Sequence, residues 1–192
     1  MNRIVRRATP ARTALLLSAA ALAALAIAAP AAQARVVQVT GGQATFTPSS
    51  QLTQALSSNG VTATAISPAS LDNGALTLPV VGGRVARPSL YGYLAFGGGI
   101  RLAKGSHSVA LRRLVAVHSA KGSFLTALVA GQRRVIARFT HITKSISGHT
   151  ATLNADVVLS AEAAALINAV AGHHVVSRGA PLGTATATVT FG

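Results

Sequence analysis

The stretch GTATATVTF near the end of the chain alternates strictly between two kinds of residue. Threonine occupies one side of an extended backbone and apolar residues occupy the other: Thr184, Thr186, Thr188 and Thr190 against Ala185, Ala187, Val189 and Phe191. A period of two places successive side chains on opposite faces of a β-strand. Residues 61–69, VTATAISPA, alternate in the same way. The pattern predicts half-buried antiparallel strands.

Further strands are predicted by alternation and by enrichment in valine, threonine and alanine. They cover residues 36–40, 74–81, 108–118, 124–130, 133–142 and 150–159. Short glycine-containing turns separate several of them. Strands at this spacing are typical of a sandwich or a barrel. We expect a mainly β domain, an antiparallel β-sandwich with two short α-helices.

Two segments have helical signals instead. TPSSQLTQALSSNG places Thr47 as N-cap and Pro48 at the first helical position, and Asn59-Gly60 ends the pattern. SAEAAALINAVAG places Ser160 as N-cap and Gly172 as the stop. These signals predict one helix early and one late in the domain.

The N-terminal segment has the pattern of a secretory signal peptide. Residues 1–12 carry four arginines and no acid, residues 13–29 are almost entirely apolar, and Ala32-Gln33-Ala34 supplies a small-x-small cleavage site. We expect a signal peptide, including its helix, at residues 1–34, and a single domain at residues 35–192. No later apolar run approaches membrane length, so we expect a secreted, extracellular or cell-wall protein without a transmembrane segment after cleavage.

Three consecutive glycines interrupt LYGYLAFGGGIRL at residues 90–102. A phosphate-binding loop would lead directly into a helix, whereas this one leads into IRLAKGSHSV. We therefore interpret Gly97 to Gly99 as a hairpin connection that needs positive φ.

The chemistry available to this chain is restricted. It has no cysteine and only three acidic residues, Asp72, Asp156 and Glu162, and no nucleophile-elbow motif. The six histidines lack a metal-binding spacing. These features predict that the protein is not an enzyme and has no metal site of its own.

Haem requires less, because one tyrosine or histidine axial ligand in an apolar cleft is enough. The candidates are Tyr91, Tyr93, His107 and His118, which fall on neighbouring predicted strands. The alternative is that the tyrosines pack at a sheet margin and the histidines contact solvent. No cofactor is certain from these residues, and haem is the candidate.

The charge balance is strongly basic. Residues 35–192 carry thirteen lysines and arginines against three acids, a net charge of +10 with neutral histidines. Such a surface attracts polyanions. The candidate contact residues are Arg112, Arg113, Arg133, Arg134 and Arg138. No aromatic residue is adjacent in sequence to the pairs Arg112-Arg113 and Arg133-Arg134, so no specific nucleic-acid site is predicted, and a solvated sheet face is the alternative.

Six segments follow one another in a recognisable order: ATFTPSSQLTQALSSNGVTATAISPA, GALTLPVVGGRV, LYGYLAFGGGIRL, LVAGQRRVIARF, LSAEAAALINAV and GAPLGTATATVTF. Together they resemble the HtaA-type haem-binding domain of secreted actinobacterial proteins. The resemblance implies a β-sandwich with short helices, export to the cell envelope, and haem capture by a tyrosine near the domain start with a supporting histidine. This chain departs from that pattern. Its first predicted helix has no tyrosine, and Phe96 stands before Gly97 where the family tends to carry a histidine.

The leading hypothesis is an exported, non-enzymatic cell-envelope protein with a binding or structural role. The first alternative is a haem-binding or haem-uptake protein. The second is adhesion to anionic cell-wall polymers through a basic sheet face.

Overall fold

The computed structural model describes residues 35–192, and the predicted signal peptide at residues 1–34 lies outside the described residues. Within this range the chain forms two helices, α1 (Ser50–Ser58) and α2 (Ala161–Ala171). The strands are β1 (Arg35–Pro48), β2 (Thr62–Ile66), β3 (Ser70–Asp72), β4 (Ala75–Arg87), β5 (Tyr91–Phe96), β6 (Gly99–Lys104), β7 (His107–Ser119), β8 (Gly122–Val129), β9 (Gln132–Ser147), β10 (Thr150–Leu159) and β11 (Pro181–Phe191). The predicted mainly β class is confirmed.

The sheet is a closed barrel of eight antiparallel strands. Around the barrel the order is β7, β5, β4, β1, β11, β10, β9 and β8, and β8 pairs again with β7. This last pairing runs from Arg112 opposite Leu128 to Ser119 opposite Gly122. The predicted β-sandwich is therefore wrong. Alternating strands can form either architecture, and the β7–β8 ladder joins what would otherwise be two free edges.

The two strands β5 and β6 form one extended run along β7. Gly92 lies opposite His118, and Gly99 lies opposite Arg112. The hairpin turn comes later, at Gly105, so the predicted hairpin at Gly97 to Gly99 is wrong.

The glycines instead mark a change of partner. Before them the run pairs with β4, and after them it pairs with β2, where Gly99 lies opposite Ile66. Gly98 has φ +78°, and a Cβ there would collide with the Ile66 carbonyl oxygen and the Ala69 nitrogen. Positive φ was expected in this triplet, and Gly98 has it.

The two helices begin at serine N-caps. The Ser49 hydroxyl accepts a hydrogen bond from the Leu52 N–H, so α1 begins two residues later than predicted, and Thr47 remains in β1. The predicted caps of α2 are confirmed, because the Ser160 hydroxyl accepts from the Ala163 N–H and Gly172 ends the helix in the left-handed conformation.

The hydrophobic core lines the inside of the barrel and continues under α2. Val39, Leu90 and Val189 are its largest fully buried side chains. Along β11 the alternation is as predicted, with Thr184, Thr186, Thr188 and Thr190 exposed and the residues between them facing inward. The threonine side is the outer surface of the barrel.

Neither of the two helices within residues 35–192 is long and apolar enough to cross a membrane.

Candidate functional site

Antiparallel connections place three turns at one end of the barrel. Residues 88–90 join β4 to β5, residues 120–121 join β7 to β8, and residues 148–149 join β9 to β10. We call this the His118 end. Helices α1 and α2 follow the far ends of β1 and β10, at what we call the helix end.

His118 faces into the barrel at the end that carries its name. It lies on β7 between Gly92 of β5 and Ser123 of β8. Its Nδ1 is 2.6 Å from the hydroxyl of Ser123, which is buried. Burial lowers the pKa of His118 below its ordinary value, and the positive charge of Lys144 lowers it further. The imidazole is therefore neutral near pH 7, and no described residue forms a hydrogen bond to its Nε2.

Tyr91 lies against this histidine. The two rings meet edge to face, with centroids 5.0 Å apart and an interplanar angle of 65°. The Lys144 ammonium lies 5.9 Å from the Tyr91 ring centroid and donates a hydrogen bond to the Ser89 carbonyl at 2.9 Å. Tyr91 is 41 % exposed, and its hydroxyl has no hydrogen-bond partner among residues 35–192.

The other two sequence candidates lie elsewhere. Tyr93 lies opposite Arg84 on one side and Val117 on the other, is exposed, and borders the barrel interior, but among the described residues its ring does not contact that of His118. His107 begins β7 opposite Lys104, beside the Gly105 hairpin and far from the His118 end. The structure therefore brings together Tyr91 and His118, and does not add Tyr93 or His107 to them.

Two members of the cluster were missed as site residues in the sequence. Ser123 follows His118 by five residues across the tight β7–β8 turn, a spacing that a hairpin prediction could have supplied. Lys144 comes from β9, and nothing local in the sequence connects it to Tyr91.

A second cationic group lies at the same end. The Arg87 guanidinium donates to the Gly148 carbonyl at 3.1 Å and stacks over the Phe191 ring at 5.1 Å. None of the chain's three acidic residues lies there. Asp72 is on β3, Glu162 is on α2, and Asp156 meets His141 on the exposed outer wall at 2.8 Å. The His118 end therefore favours an anionic ligand.

Leu90 fills part of the same end. It belongs to the turn after β4, has φ +60°, and its N–H donates to the Ala86 carbonyl at 2.6 Å. Its side chain is only 1 % exposed, which makes it the most deeply buried leucine of the described chain. A turn residue thus adds its apolar side chain to those of the strands at this end.

Behind the cluster the barrel encloses a cavity of about 400 Å³, which we call the lumen. His118, Ser123 and Leu153 line it at one end, and Leu56 and Leu166 of the two helices line it at the other. Its walls are almost entirely aliphatic or aromatic. A volume of this size is within the range of about 300–1,000 Å³ found for small-molecule sites.

The five arginines predicted to contact polyanions fall into two groups on the barrel. Arg112 and Arg133 flank Leu128 in register on the outer wall, and Arg138 lies opposite Phe124 on the same three strands. We call these three residues the arginine face.

The guanidinium of Arg133 is partly engaged, because it donates to the Arg113 carbonyl and to the Thr126 hydroxyl. The remaining two arginines are adjacent in sequence to Arg112 and Arg133. Arg113 is at a bulge with φ +48°, and its carbonyl accepts from Arg133 at 2.7 Å. Arg134 donates to Gln132 and lines a shallow pocket with Glu162.

Within residues 35–192 no three His, Cys, Asp or Glu side chains converge as metal ligands. The one close acid–histidine pair, His141 with Asp156, is highly exposed, with 83 % and 54 % of the two side chains accessible. It therefore lacks the enclosed cleft in which general acid–base catalysis is strongest.

Fold and site together define a small closed barrel with the cluster of Tyr91, His118, Ser123 and Lys144 at one end. No protein-family model matches the chain. No curated protein matches it either. Solved structures do match, among them the following from Corynebacterium glutamicum.

The C-terminal domain of HtaA aligns with a TM-score of 0.62 at 18 % identity, covering 81 % of this chain and 99 % of that one. A domain-swapped dimer variant of the same domain aligns at 0.54 and 18 %, covering 69 % and 84 %. The haem-binding protein HtaB aligns at 0.55 and 12 %, covering 82 % and 96 %. The chain has the HtaA-type fold, as the sequence resemblance predicted.

Proposed function

We propose that this chain is an exported, non-enzymatic binding domain whose ligand is haem, held at the His118 end. The observation that carries the proposal is the ring contact between Tyr91 and a neutral, hydrogen-bonded His118 that itself lines the apolar lumen. The fold shared with the haem-binding protein HtaB supports it.

The residues present fit what haem requires of a protein. Haem, when bound, would supply an iron that accepts an oxygen or nitrogen donor from the protein, and a phenol oxygen or an imidazole nitrogen could serve. The Tyr91 hydroxyl is free, and the hydrogen bond between His118 Nδ1 and Ser123 leaves Nε2 as the available nitrogen. Lys144 and Arg87 supply positive charge for the carboxylates of the ligand.

The proposed ligands differ from those that the family resemblance implies. A tyrosine near the domain start would lie in α1, at the helix end, and α1 contains none. Phe96, which stands before Gly97, is buried in the core. Tyr91 and His118 lie at the opposite end of the barrel, so this chain would use its own pair of residues.

The test is a titration of purified protein, residues 35–192, with haemin, followed by its Soret absorbance. We expect a new band for the wild type, a large loss of affinity for Tyr91→Phe or His118→Ala, and no change for Tyr93→Phe. The Tyr93 variant is a matched control because both tyrosines are on β5 and similarly exposed. The absence of a band at equimolar haemin, or equal effects of Tyr91→Phe and Tyr93→Phe, would reject the site.

The arginine face supports a second candidate function, adhesion to an anionic envelope polymer. Arg112, Arg133 and Arg138 share the outer wall of three adjacent strands, and the described chain carries no acid in register with them on those rows. Because exposed charges are screened by salt, retention on an immobilised anionic polymer should fall steeply as salt rises. Retention that is unchanged in a triple Arg→Gln variant of this face would exclude the face as the contact.

A further inference from the structure

We propose that the lumen is a second binding site, which takes a single acyl chain with an anionic headgroup. The proposal concerns the inside of the barrel and does not depend on haem binding at its mouth. Four observations carry it: the small side chains of one wall, their partial exposure, the shape of the cavity, and the charge at its opening.

One wall of the lumen is built from alanine. Ala155 of β10 lies opposite Ala185 of β11, and Ala187 of β11 lies opposite Ala44 of β1. The facing strands carry larger residues, such as Leu94 of β5 and Leu114 of β7. An eight-stranded barrel is just wide enough for ordinary side chains to fill it or to hold one small ligand. Because three adjacent strands carry only alanine methyl groups here, the side chains do not fill the barrel and room for one small ligand remains.

The exposure of these alanines shows that they border open space. Ala155, Ala185 and Ala187 point inward by alternation, since their neighbours Thr184, Thr186 and Thr188 are exposed on the outer wall. Inward residues of a filled barrel are fully buried, yet these three are only half-buried. Empty apolar volume costs stability in proportion to its size, and such cavities stay dry and take apolar ligands.

The shape of the lumen favours a chain over a compact molecule. Leu153 and Leu159 both line it and are six residues apart on one strand, which corresponds to about 20 Å. A volume of about 400 Å³ spread over that length is long and narrow. An extended polymethylene chain has this form and needs no polar partner along its length.

The charge at the opening selects the headgroup. His118 and Ser123 are the polar side chains of the lumen at its His118 end, and Lys144 lies beside them. The Lys144 ammonium uses one hydrogen for the Ser89 carbonyl and keeps two for a ligand. With no carboxylate at this end, a fatty-acid carboxylate or a similar anion is the complementary group.

The experiment titrates residues 35–192 with cis-parinaric acid, a fatty acid that fluoresces when its chain enters an apolar site. We compare wild type with Ala155→Leu and Ala187→Leu, which fill the lumen, and with Thr188→Leu, which adds the same side chain to the outer wall. We expect saturable binding by the wild type and Thr188→Leu, and a loss of about tenfold or more in affinity for each lumen variant. Tyr91→Phe should retain the fatty acid whether or not it loses haemin, which separates this proposal from the haem site.

Thermal unfolding of the unliganded variants gives an independent measurement. If the lumen is open, leucine at Ala155 or Ala187 fills it, and Tm stays level or rises relative to Thr188→Leu. A fall in Tm for both lumen variants would show that there is no room inside, and would overturn the proposal. Absence of wild-type binding, or wild-type affinity in the filled variants, would overturn it as well.

Discussion

In the cluster at the His118 end, neighbouring side chains set the orientation and the protonation state of His118. Ser123 orients the imidazole of His118 through Nδ1, and Lys144 disfavours its protonation. The edge of one ring in the Tyr91–His118 pair meets the face of the other, a favourable arrangement for aromatic rings. A neutral histidine beside a free phenol is the result, and both groups are available as donors to a ligand.

This environment makes stability depend on pH in a definite direction. Above the ordinary pKa of 6.5, His118 is neutral in both folded and unfolded chains and has no effect. As pH falls through that value the unfolded chain binds the proton first, so the free energy of unfolding decreases until the pH passes the lowered pKa of the folded state. Urea unfolding at about pH 7.5 and about pH 5.5 should show a smaller loss for His118→Asn than for the wild type.

His107→Asn is the control for that comparison, because His107 is exposed beside a hairpin and has no hydrogen bond among the described residues. It should lose as much stability as the wild type on acidification. Equal losses for wild type, His107→Asn and His118→Asn would contradict the assigned role of burial and Lys144.

The sequence was sufficient to propose Tyr91 and His118 as neighbours, because both lie in strands that alternation predicts. It could not separate them from Tyr93 and His107. Which tyrosine reaches the histidine depends on the irregular backbone at Leu90, with φ +60°, and Gly92, with φ +150°. Lys144 joins the cluster through the β9 register, which is a property of the closed sheet.

At the scale of elements, the two helix N-caps differ in how deeply their serine hydroxyls are buried. The Ser160 hydroxyl is buried, accepts from the Ala163 N–H at 3.0 Å and donates to the Val135 carbonyl at 2.5 Å. It therefore ties α2 to β9 as well as capping the helix. The Ser49 hydroxyl caps α1 in a similar way but is only partly covered.

We expect Ser160→Ala to lower the free energy of unfolding by about 2 kcal/mol, because it removes the cap and leaves the partly buried Val135 carbonyl without this donor. Ser49→Ala, the matched change at α1, should cost about 1 kcal/mol. Urea unfolding curves measure both. A larger loss for Ser49→Ala would contradict the greater structural role given to Ser160.

The glycines between β5 and β6 predict that two Gly→Ala variants differ in stability. Gly98→Ala places a methyl group against backbone atoms of Ile66 and Ala69 at a positive φ, and should cost about 3 kcal/mol. Gly105→Ala also has positive φ, +55°, but meets open space, and should cost about 1 kcal/mol. Urea midpoints compare the two, and equal losses would show that the bend tolerates a side chain.

Alternation and capping rules predicted most elements because both are local. The helix stops at Asn59 and Gly172 are where the sequence placed them. The function of Gly97 to Gly99 was not predictable in this way. A tight turn and a change of strand partner both require positive φ, and only the pairing of β6 with β2 distinguishes them.

At the scale of the whole molecule, closure is the property that the sequence did not reveal. A sandwich and a barrel have the same alternation along each strand. They differ in whether the last strand of the sheet pairs with the first. Here the β7–β8 ladder closes the ring, so none of the eight barrel strands within residues 35–192 has a free edge along its whole length.

We expect the ring to unfold as one unit, because opening any wall exposes the same core. Tyrosine fluorescence reports β5, which carries both tyrosines of the chain, and far-UV circular dichroism reports the entire sheet. Urea transitions followed by the two signals should have the same midpoint. An earlier tyrosine transition would show that the β4–β5 wall separates before the rest.

The two ends of the barrel are covered by different amounts of structure. At the helix end, whole helices cover the opening, and clearing it means displacing two elements with their caps. At the other end Leu90, carried on a three-residue turn and paired with no strand, is buried among the residues that line the lumen. A rotation of this one side chain away from the lumen would widen the opening beside Lys144 and would break no strand pairing.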